Sequence, residues 1–168
     1  MRHNLMETKK LIELLGEKLS SFIVKADKMP NNDLLILIKK ESLLSVMDTL
    51  KNDLELKFNV LMNHLGVDYT ESFAVIYNLY SFKLKKKVTV KAYMEHENPE
   101  VDSIESVFKG VNWFERETYD LLGIRFRGHS NLKRLLLPSD WEGHPLRKDY
   151  IYPEEYNGLI LKREENCK

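Results

Sequence analysis

The stretch Phe73-Ala74-Val75-Ile76-Tyr77-Asn78-Leu79-Tyr80-Ser81-Phe82 is apolar on both faces and reads as the central strand of a sheet. Beyond the short connector 83–87, Val88, Val90, Ala92 and Met94 alternate with Thr89, Lys91, Tyr93 and Glu95, a strand with one wet face. Upstream, Leu54, Leu56, Phe58, Val60 and Met62 alternate with Glu55, Lys57, Asn59 and Asn63, again with a period of two. The connector Tyr69-Thr70-Glu71-Ser72 is also short, so an antiparallel meander of these three strands is expected.

The flanks supply helices to cover such a sheet. Leu11, Ile12, Leu15, Leu19 and Phe22 form a helical stripe, weakened but not cancelled by Gly16. Pro30-Asn31-Asn32-Asp33 signals a turn, and Leu34 to Ile38 behind it reads as a strand buried on both faces. Leu43, Val46, Met47 and Leu50 mark a second, short amphipathic helix. The expected class is α+β: a two-layer domain with a small, mostly antiparallel sheet covered by helices, followed by a helix and a long irregular C-terminal extension. Residues 1–110 would form the α+β part, and 111–168 the helix and extended segment of the same chain.

In that second part, Ile104, Val107 and Phe108 give a short helical pattern that Gly110 breaks. Asn112 reads as an N-cap with Glu115 completing a capping box, the helix runs to Leu122, and Gly123 suits a left-handed residue after its end. From Gly123 to Pro153 the chain is rich in Gly and Pro, with Leu135-Leu136-Leu137 as its one packed patch. So long an irregular stretch is usually functional or docked on something.

Composition excludes several classes. With 26 Lys plus Arg against 26 Asp plus Glu in 168 residues, the chain lacks the basic excess of a dedicated nucleic-acid binder. Cys167 alone cannot form an internal disulfide, hold an iron–sulfur cluster or make a zinc pattern, and it falls in an expected frayed tail of a protein from a reducing compartment. Residues 1–19 mix charged with apolar side chains, so no signal peptide is expected, and no apolar run reaches the ~20 residues of a membrane span. Any membrane role would be indirect.

The charged helix Asn112–Gly123 holds Glu115, Arg116, Glu117 and Asp120. Arg116 and Asp120 are placed to pair, and Glu117 and Asp120 share a face. Two such carboxylates could act as acid and base, but a salt-bridged surface is the plainer reading, and Trp113 and Phe114 at the same helix suit an interface. His3, His64, His96, His129 and His144 show no metal-ligand spacing. His129 and His144 could meet in space, although loop pinning is favoured, and His64 is expected to be a satisfied, half-buried histidine. The run Lys83, Lys85, Lys86, Lys87 and Lys91 near Tyr77, Tyr80, Phe82 and Tyr93 could suggest an RNA-binding sheet, but a lysine-guarded hairpin edge fits better. No Gly-rich phosphate loop is present. Between Gly123 and Tyr150, Arg125, Arg127, Lys133, Arg134, Arg147 and Lys148 outnumber Asp140, Glu142 and Asp149 by three. Arg and Trp in such a strap suit an interface hot spot, with an Ω-like loop wrapped on its own domain as the equal alternative.

Here the chain resembles a known family. Glu115-Arg116-Glu117-Thr118-Tyr119-Asp120-Leu121-Leu122, then His129, Lys133 and Leu135-Leu136-Leu137, then Asp140-Trp141-Glu142-Gly143-His144-Pro145-Leu146-Arg147-Lys148-Asp149-Tyr150, with Pro153 to Gly158 following, are similar to the signature of the 30-kDa-type (C-type) subunit of NADH:quinone oxidoreductase, respiratory complex I. The resemblance implies a cofactor-free, non-catalytic subunit of the peripheral arm, with no metal of its own. It would scaffold the large quinone-site subunit (49-kDa, D-type) and the iron–sulfur subunits of B and I type. It implies a peripheral place on the cytoplasmic side of the membrane, with membrane contact only through the complex, and a polypeptide separate from the large subunit. The residues implied in partner binding are Trp113, Glu115, Arg116, Glu117, Asp120, His129, Lys133, Arg134, Asp140, Trp141, His144, Arg147, Lys148, Asp149 and Tyr150. Related membrane-bound hydrogenases and ferredoxin-fed complexes share the signature; an RNA-binding module and an autonomous hydrolase are the remote alternatives.

Overall fold

The meander expected from residues 54 to 95 is present, shifted at its first strand. In the computed structural model, residues 2–31 and 33–161 are described, with side chains from Leu11 onward; Asn32 of the expected turn, the side chain of His3, and Cys167 lie outside the described residues. Helix α1 (Arg2–Leu19) leads into β1 (Ile23–Lys28) and β2 (Leu34–Ile38). A single 3₁₀ turn, Lys40–Ser42, then precedes α2 (Leu43–Asn52). Strands β3 (Val60–Asp68), β4 (Ser72–Ser81) and β5 (Lys86–Glu95) follow. The rest comprises β6 (Glu100–Asp102), α3 (Val111–Leu122), β7 (Arg125–Arg127), β8 (Glu155–Tyr156) and β9 (Leu159–Ile160).

Five strands form one sheet in the order β1-β2-β5-β4-β3. β3, β4 and β5 pair antiparallel, with β4 between its neighbours, while β2 runs parallel to β5 and antiparallel to β1. The parallel pair needs a crossover connection, which α2 supplies. Phe73, Val75, Tyr77 and Leu79 of β4 share one buried layer with Val88, Val90 and Ala92 of β5, Ile36 of β2, Leu15 and Leu19 of α1, and Val46, Met47 and Leu50 of α2. Val111, Leu122, Ile124 and Phe126 belong to the same core, so α3 and β7 are built onto the α+β part rather than set apart from it.

Residues 54–59 are not a strand. The Asp53 carboxylate accepts the Glu55 and Leu56 amides, Lys57 adopts a φ of 49°, and Phe58 N–H donates to the Leu50 carbonyl. The segment is therefore a turn that closes α2, and it buries Leu56 and Phe58 by turn geometry rather than by pleat. A register shift between Leu61 and Asn63 puts two residues of β3 against one of β4. Met62, expected inside, is turned out by it and is 47% exposed. Strand β1 and the parallel pair β6–β7 carry no sequence signal of their own; each is too short or too polar to show a period.

Among the described residues, no helix is long and apolar enough to cross a membrane.

Candidate partner-binding site

Helix α3 lies across β3 because Gly66 lets it approach closely: a Cβ there would fall 2.5 Å from a Thr118 methyl and 2.7 Å from Leu122. Its N-terminus differs from the capping box expected. The helix begins at Val111 after Gly110, with no side-chain cap, and Asn112 sits inside it. Glu115 turns inward, fully buried, and accepts hydrogen bonds from the Ser103 hydroxyl (2.5 Å) and the Ile104 amide (3.0 Å). It thus organises the turn after β6 rather than its own helix. Burial drives the Glu115 pKa up to about 7, only partly opposed by those two donors.

At the other end of α3, Asp120 has no exposed surface. One of its oxygens accepts three successive amides, Leu135 (2.8 Å), Leu136 (2.7 Å) and Leu137 (3.0 Å), an anion-binding nest made by the patch that the sequence marked as apolar. The other oxygen pairs with Arg134 at 2.8 Å. Burial alone would raise the pKa of Asp120, but the nest amides and the guanidinium hold it below the usual range. The expected Arg116–Asp120 pair is absent because Arg134 takes that place. Arg116 instead donates to the carbonyls of Lys133 (3.2 Å) and Arg134 (3.1 Å).

Gly123 ends the helix at φ 73°, its amide donating to the Tyr119 carbonyl. The carbonyls left over at the last turn are taken by the strap 140–150, the segment that returns across this helix end. His144 Nδ1–H donates to Asp120 O (2.9 Å), Leu146 N–H to Leu121 O (3.0 Å), and Arg147 Nε–H to Leu122 O (2.7 Å). Burial lowers the pKa of His144, and Arg147 and Arg134 add to the effect, so the neutral ring donates here. Arg134 also holds the carbonyls of Trp141 (2.8 Å) and Gly143 (2.9 Å), and the Arg147 guanidinium lies over the Phe73 ring. The Tyr150 hydroxyl donates to Glu142 O, and Lys148 N–H to the buried Asp68 carboxylate (2.9 Å). Asp140 accepts from the Tyr156 hydroxyl (2.7 Å), and Trp141 packs on the Tyr156 ring. The strap is thus wrapped on its own domain.

His129 does pin a loop: its Nε2–H donates to Asn112 O (3.2 Å), and its Nδ1 accepts from the Asn131 amide (3.0 Å). It stands at the start of α3 and His144 at its end, so the two do not meet. His64, expected to be half-buried and satisfied, is instead almost fully buried, at 4% exposure, and is not satisfied. It is sandwiched between Tyr77 (4.4 Å) and Phe126 (5.7 Å), and neither ring nitrogen has a partner at hydrogen-bond geometry. Burial pulls its pKa down to about 3.

With so many signature residues turned inward, few remain to meet a partner. Trp113 is 63% exposed, and Arg116 lies over its ring at 5.2 Å. Glu117 is exposed at the edge of a groove of about 250 Å³ between α3 and β3, lined by Phe114, Leu121 and Leu146. Lys133, Lys148 and Asp149 are exposed as well. Glu117 and Asp120 therefore do not form an acid–base pair: one faces solvent, and the other is fully engaged by its own chain. In the lysine-rich hairpin, Lys91 lies over both Tyr69 and Tyr93 at 4.5 Å, so those ring faces are already occupied. The sequence reading missed Asp68, which ties the strap down, and Glu105, which accepts the Ser130 amide and hydroxyl and the Asn112 side chain. An Asp at a strand-to-strand connector, as in Asp68-Tyr69-Thr70, was the available signal for the first.

Residues 36–156 match the family model of the respiratory-chain NADH dehydrogenase 30-kDa subunit. The chain is 44% identical over 120 residues to the C subunit of the NADH-quinone oxidoreductase from Roseiflexus sp. strain RS-1, covering 70% of this chain and 69% of that one. It is 35% identical over 150 residues to the corresponding C subunit from Geotalea uraniireducens, covering 88% and 90%. Among solved structures, a trypsin-resistant fragment of Nqo5 superposes with a TM-score of 0.62 at 26% identity, over 75% of this chain and 99% of the fragment. A chain of the archaeal membrane-bound sulfane sulfur reductase shares the fold, with a TM-score of 0.67 at 17% identity over 95% and 97%.

Proposed function

We propose that this chain, which belongs to the respiratory-chain NADH dehydrogenase 30-kDa subunit family, is a non-catalytic scaffold in the peripheral arm of a complex I-type NADH:quinone oxidoreductase. In this reading it binds no cluster, flavin or nicotinamide of its own. It holds the large quinone-site subunit and the iron–sulfur subunits of B and I type in register, so that electrons reach the quinone. It meets the membrane only through the complex, on the cytoplasmic side.

One observation carries the reading. The signature segment spends Glu115, Asp120, Arg134 and Arg147 on building a rigid helix-and-strap unit, and that unit presents Trp113, Leu136 and Leu146 outward at 63%, 61% and 58% exposure. Large apolar groups on a preorganised surface are what a protein interface uses, because little ordering entropy remains to be lost on docking. The same logic serves related membrane complexes fed by other donors, and the partners recovered distinguish them.

The test is purification of the tagged chain from its native cells. Recovery of stoichiometric large and iron–sulfur subunits, lost on Trp113→Ala, supports the reading. Recovery of the chain alone, or of nucleic acid, overturns it.

A further inference from the structure

Three side chains from three separate elements converge beside the strap: Asp68 at the end of β3, His96 just beyond β5, and Asp149 on the strap itself. One ligand atom of each lies within 4.8 Å of the others, and His96 Nε2 is 4.0 Å from the Asp68 carboxylate. Two of the three are held in place. The His96 ring lies flat on fully buried Phe73, with centroids 4.8 Å apart and planes 13° from parallel. The Asp68 side chain, 3% exposed, is oriented by the Thr70 amide on one oxygen (2.7 Å) and the Lys148 amide on the other (2.9 Å). One amide per oxygen leaves a lone pair on each for a further partner. The Asp149 carboxylate is exposed and has no hydrogen-bond or ion-pair partner among the described residues.

We propose that Asp68, His96 and Asp149 form a binding site for a divalent transition-metal ion of the Zn²⁺ type, with solvent in the fourth position, and that this ion fastens the strap to the ends of β3 and β5. One imidazole nitrogen and two carboxylate oxygens are a donor set that suits such an ion better than Mg²⁺ or Ca²⁺, which take oxygen throughout. Zinc bonds of about 2.0–2.1 Å in tetrahedral geometry place ligand atoms roughly 3.3 Å apart. The His96–Asp68 side, at 4.0 Å, closes to that size by a shift of about 0.7 Å, and Asp149, the one member with no other attachment, moves in to complete the triangle. Besides His96 itself, Lys148 is the cation that acts on Asp68 here, and its side chain is exposed and free to give way. The strap already touches Asp68 through the Lys148 amide, so the ion would add a second tie at an existing contact. Residues 68, 96 and 149 are too far apart in sequence for any spacing rule to join them.

The experiment is calorimetric titration of ZnCl₂ into the full-length, chelator-treated chain, beside melting curves with and without zinc. One equivalent is expected to bind and to raise the Tm. His96→Ala and Asp149→Asn should each weaken binding by at least about tenfold, with the zinc-free Tm of Asp149→Asn unchanged. His3→Ala and Cys167→Ser should bind as the parent chain does. Absence of saturable binding overturns the proposal. So does binding that survives Asp149→Asn undiminished, or binding abolished by either terminal variant.

Discussion

Arg134 Nη1 lies 2.8 Å from Asp120 Oδ1, and the same guanidinium holds the Trp141 and Gly143 carbonyls, so one buried ion pair joins the end of α3 to both limbs of the segment that follows it. The other carboxylate oxygen is met by three main-chain amides, which is what makes a charge tolerable at a site without solvent. Asp120→Asn would put an NH₂ group against donors and leave Arg134 unpaired. A loss of about 3–5 kcal/mol in denaturant unfolding is expected, with hydrogen exchange rising at 135–147. A change below about 1 kcal/mol would show that the nest relaxes around an amide.

Arg116 and Glu117 are neighbours with opposite expected roles. Arg116→Ala removes two hydrogen bonds to carbonyls at 133 and 134 and should cost the isolated chain about 1.5–3 kcal/mol. Glu117→Ala should change its stability by less than about 0.5 kcal/mol. In assembly the order reverses: Glu117→Ala and Trp113→Ala should weaken association by about 1–3 kcal/mol without moving the Tm of the free chain. Native-gel assembly beside thermal melts of the free chain separates the two effects.

Glu115 titrates near pH 7 in the folded protein and near 4.5 when unfolded, so between those values the folded state binds more protons. Stability from this group is therefore full below about pH 4.5 and is lost as pH rises through 7. Glu115→Gln removes the titration while keeping an acceptor for the Ile104 amide. The stability difference, variant minus parent, should grow in the variant's favour from pH 5 to 8 and then level off. A difference that is flat with pH would contradict the assignment.

His64 works in the opposite sense. Its folded pKa of about 3 lies below the unfolded value of 6.5, so protons bind preferentially to the unfolded chain between them. Its contribution is intact above pH 6.5 and falls away as pH drops toward 3. His64→Phe, which keeps a ring against Tyr77 and Phe126, should flatten the acid limb of the stability curve in urea titrations from pH 7 to 4.

Gly123 holds φ 73° where a Cβ would lie 2.5 Å from the His144 ring and 2.6 Å from the Arg147 guanidinium. Gly123→Ala should cost at least about 1 kcal/mol from the left-handed backbone alone, and should loosen the strap in proportion. Proteolytic cleavage at 140–150, absent in the parent and fast in the variant, would report this.

Segments whose side chains obey a local period could be placed from the amino-acid order alone. The stripe Leu11, Leu15, Leu19 and the alternation in β5 each name their buried face without reference to any other segment, because a helix or a pleat repeats its own geometry. The runs of β2 and β4, read as apolar on both faces, instead bury Leu34, Ile36 and Ile38 and Phe73, Val75, Tyr77 and Leu79 more deeply than Leu35, Leu37, Ile76 and Tyr80. Gly123 was legible too, since only local backbone conformation is at stake there, and the spacing of Glu115 to Tyr150 carried the family. Tertiary structure alone decided where the charges of that signature go. The spacing of Arg116 to Asp120 allows a pair, but Arg134, from a loop with no period, supplies a better-placed guanidinium and takes the carboxylate. Likewise Glu115, placed by spacing as a cap, finds the Ser103 and Ile104 donors once β6 pairs with β7, a strand pair that residues 100–102 and 125–127 do not announce. A charged side chain chooses its partner by distance in three dimensions. Period and spacing report only distance along the chain.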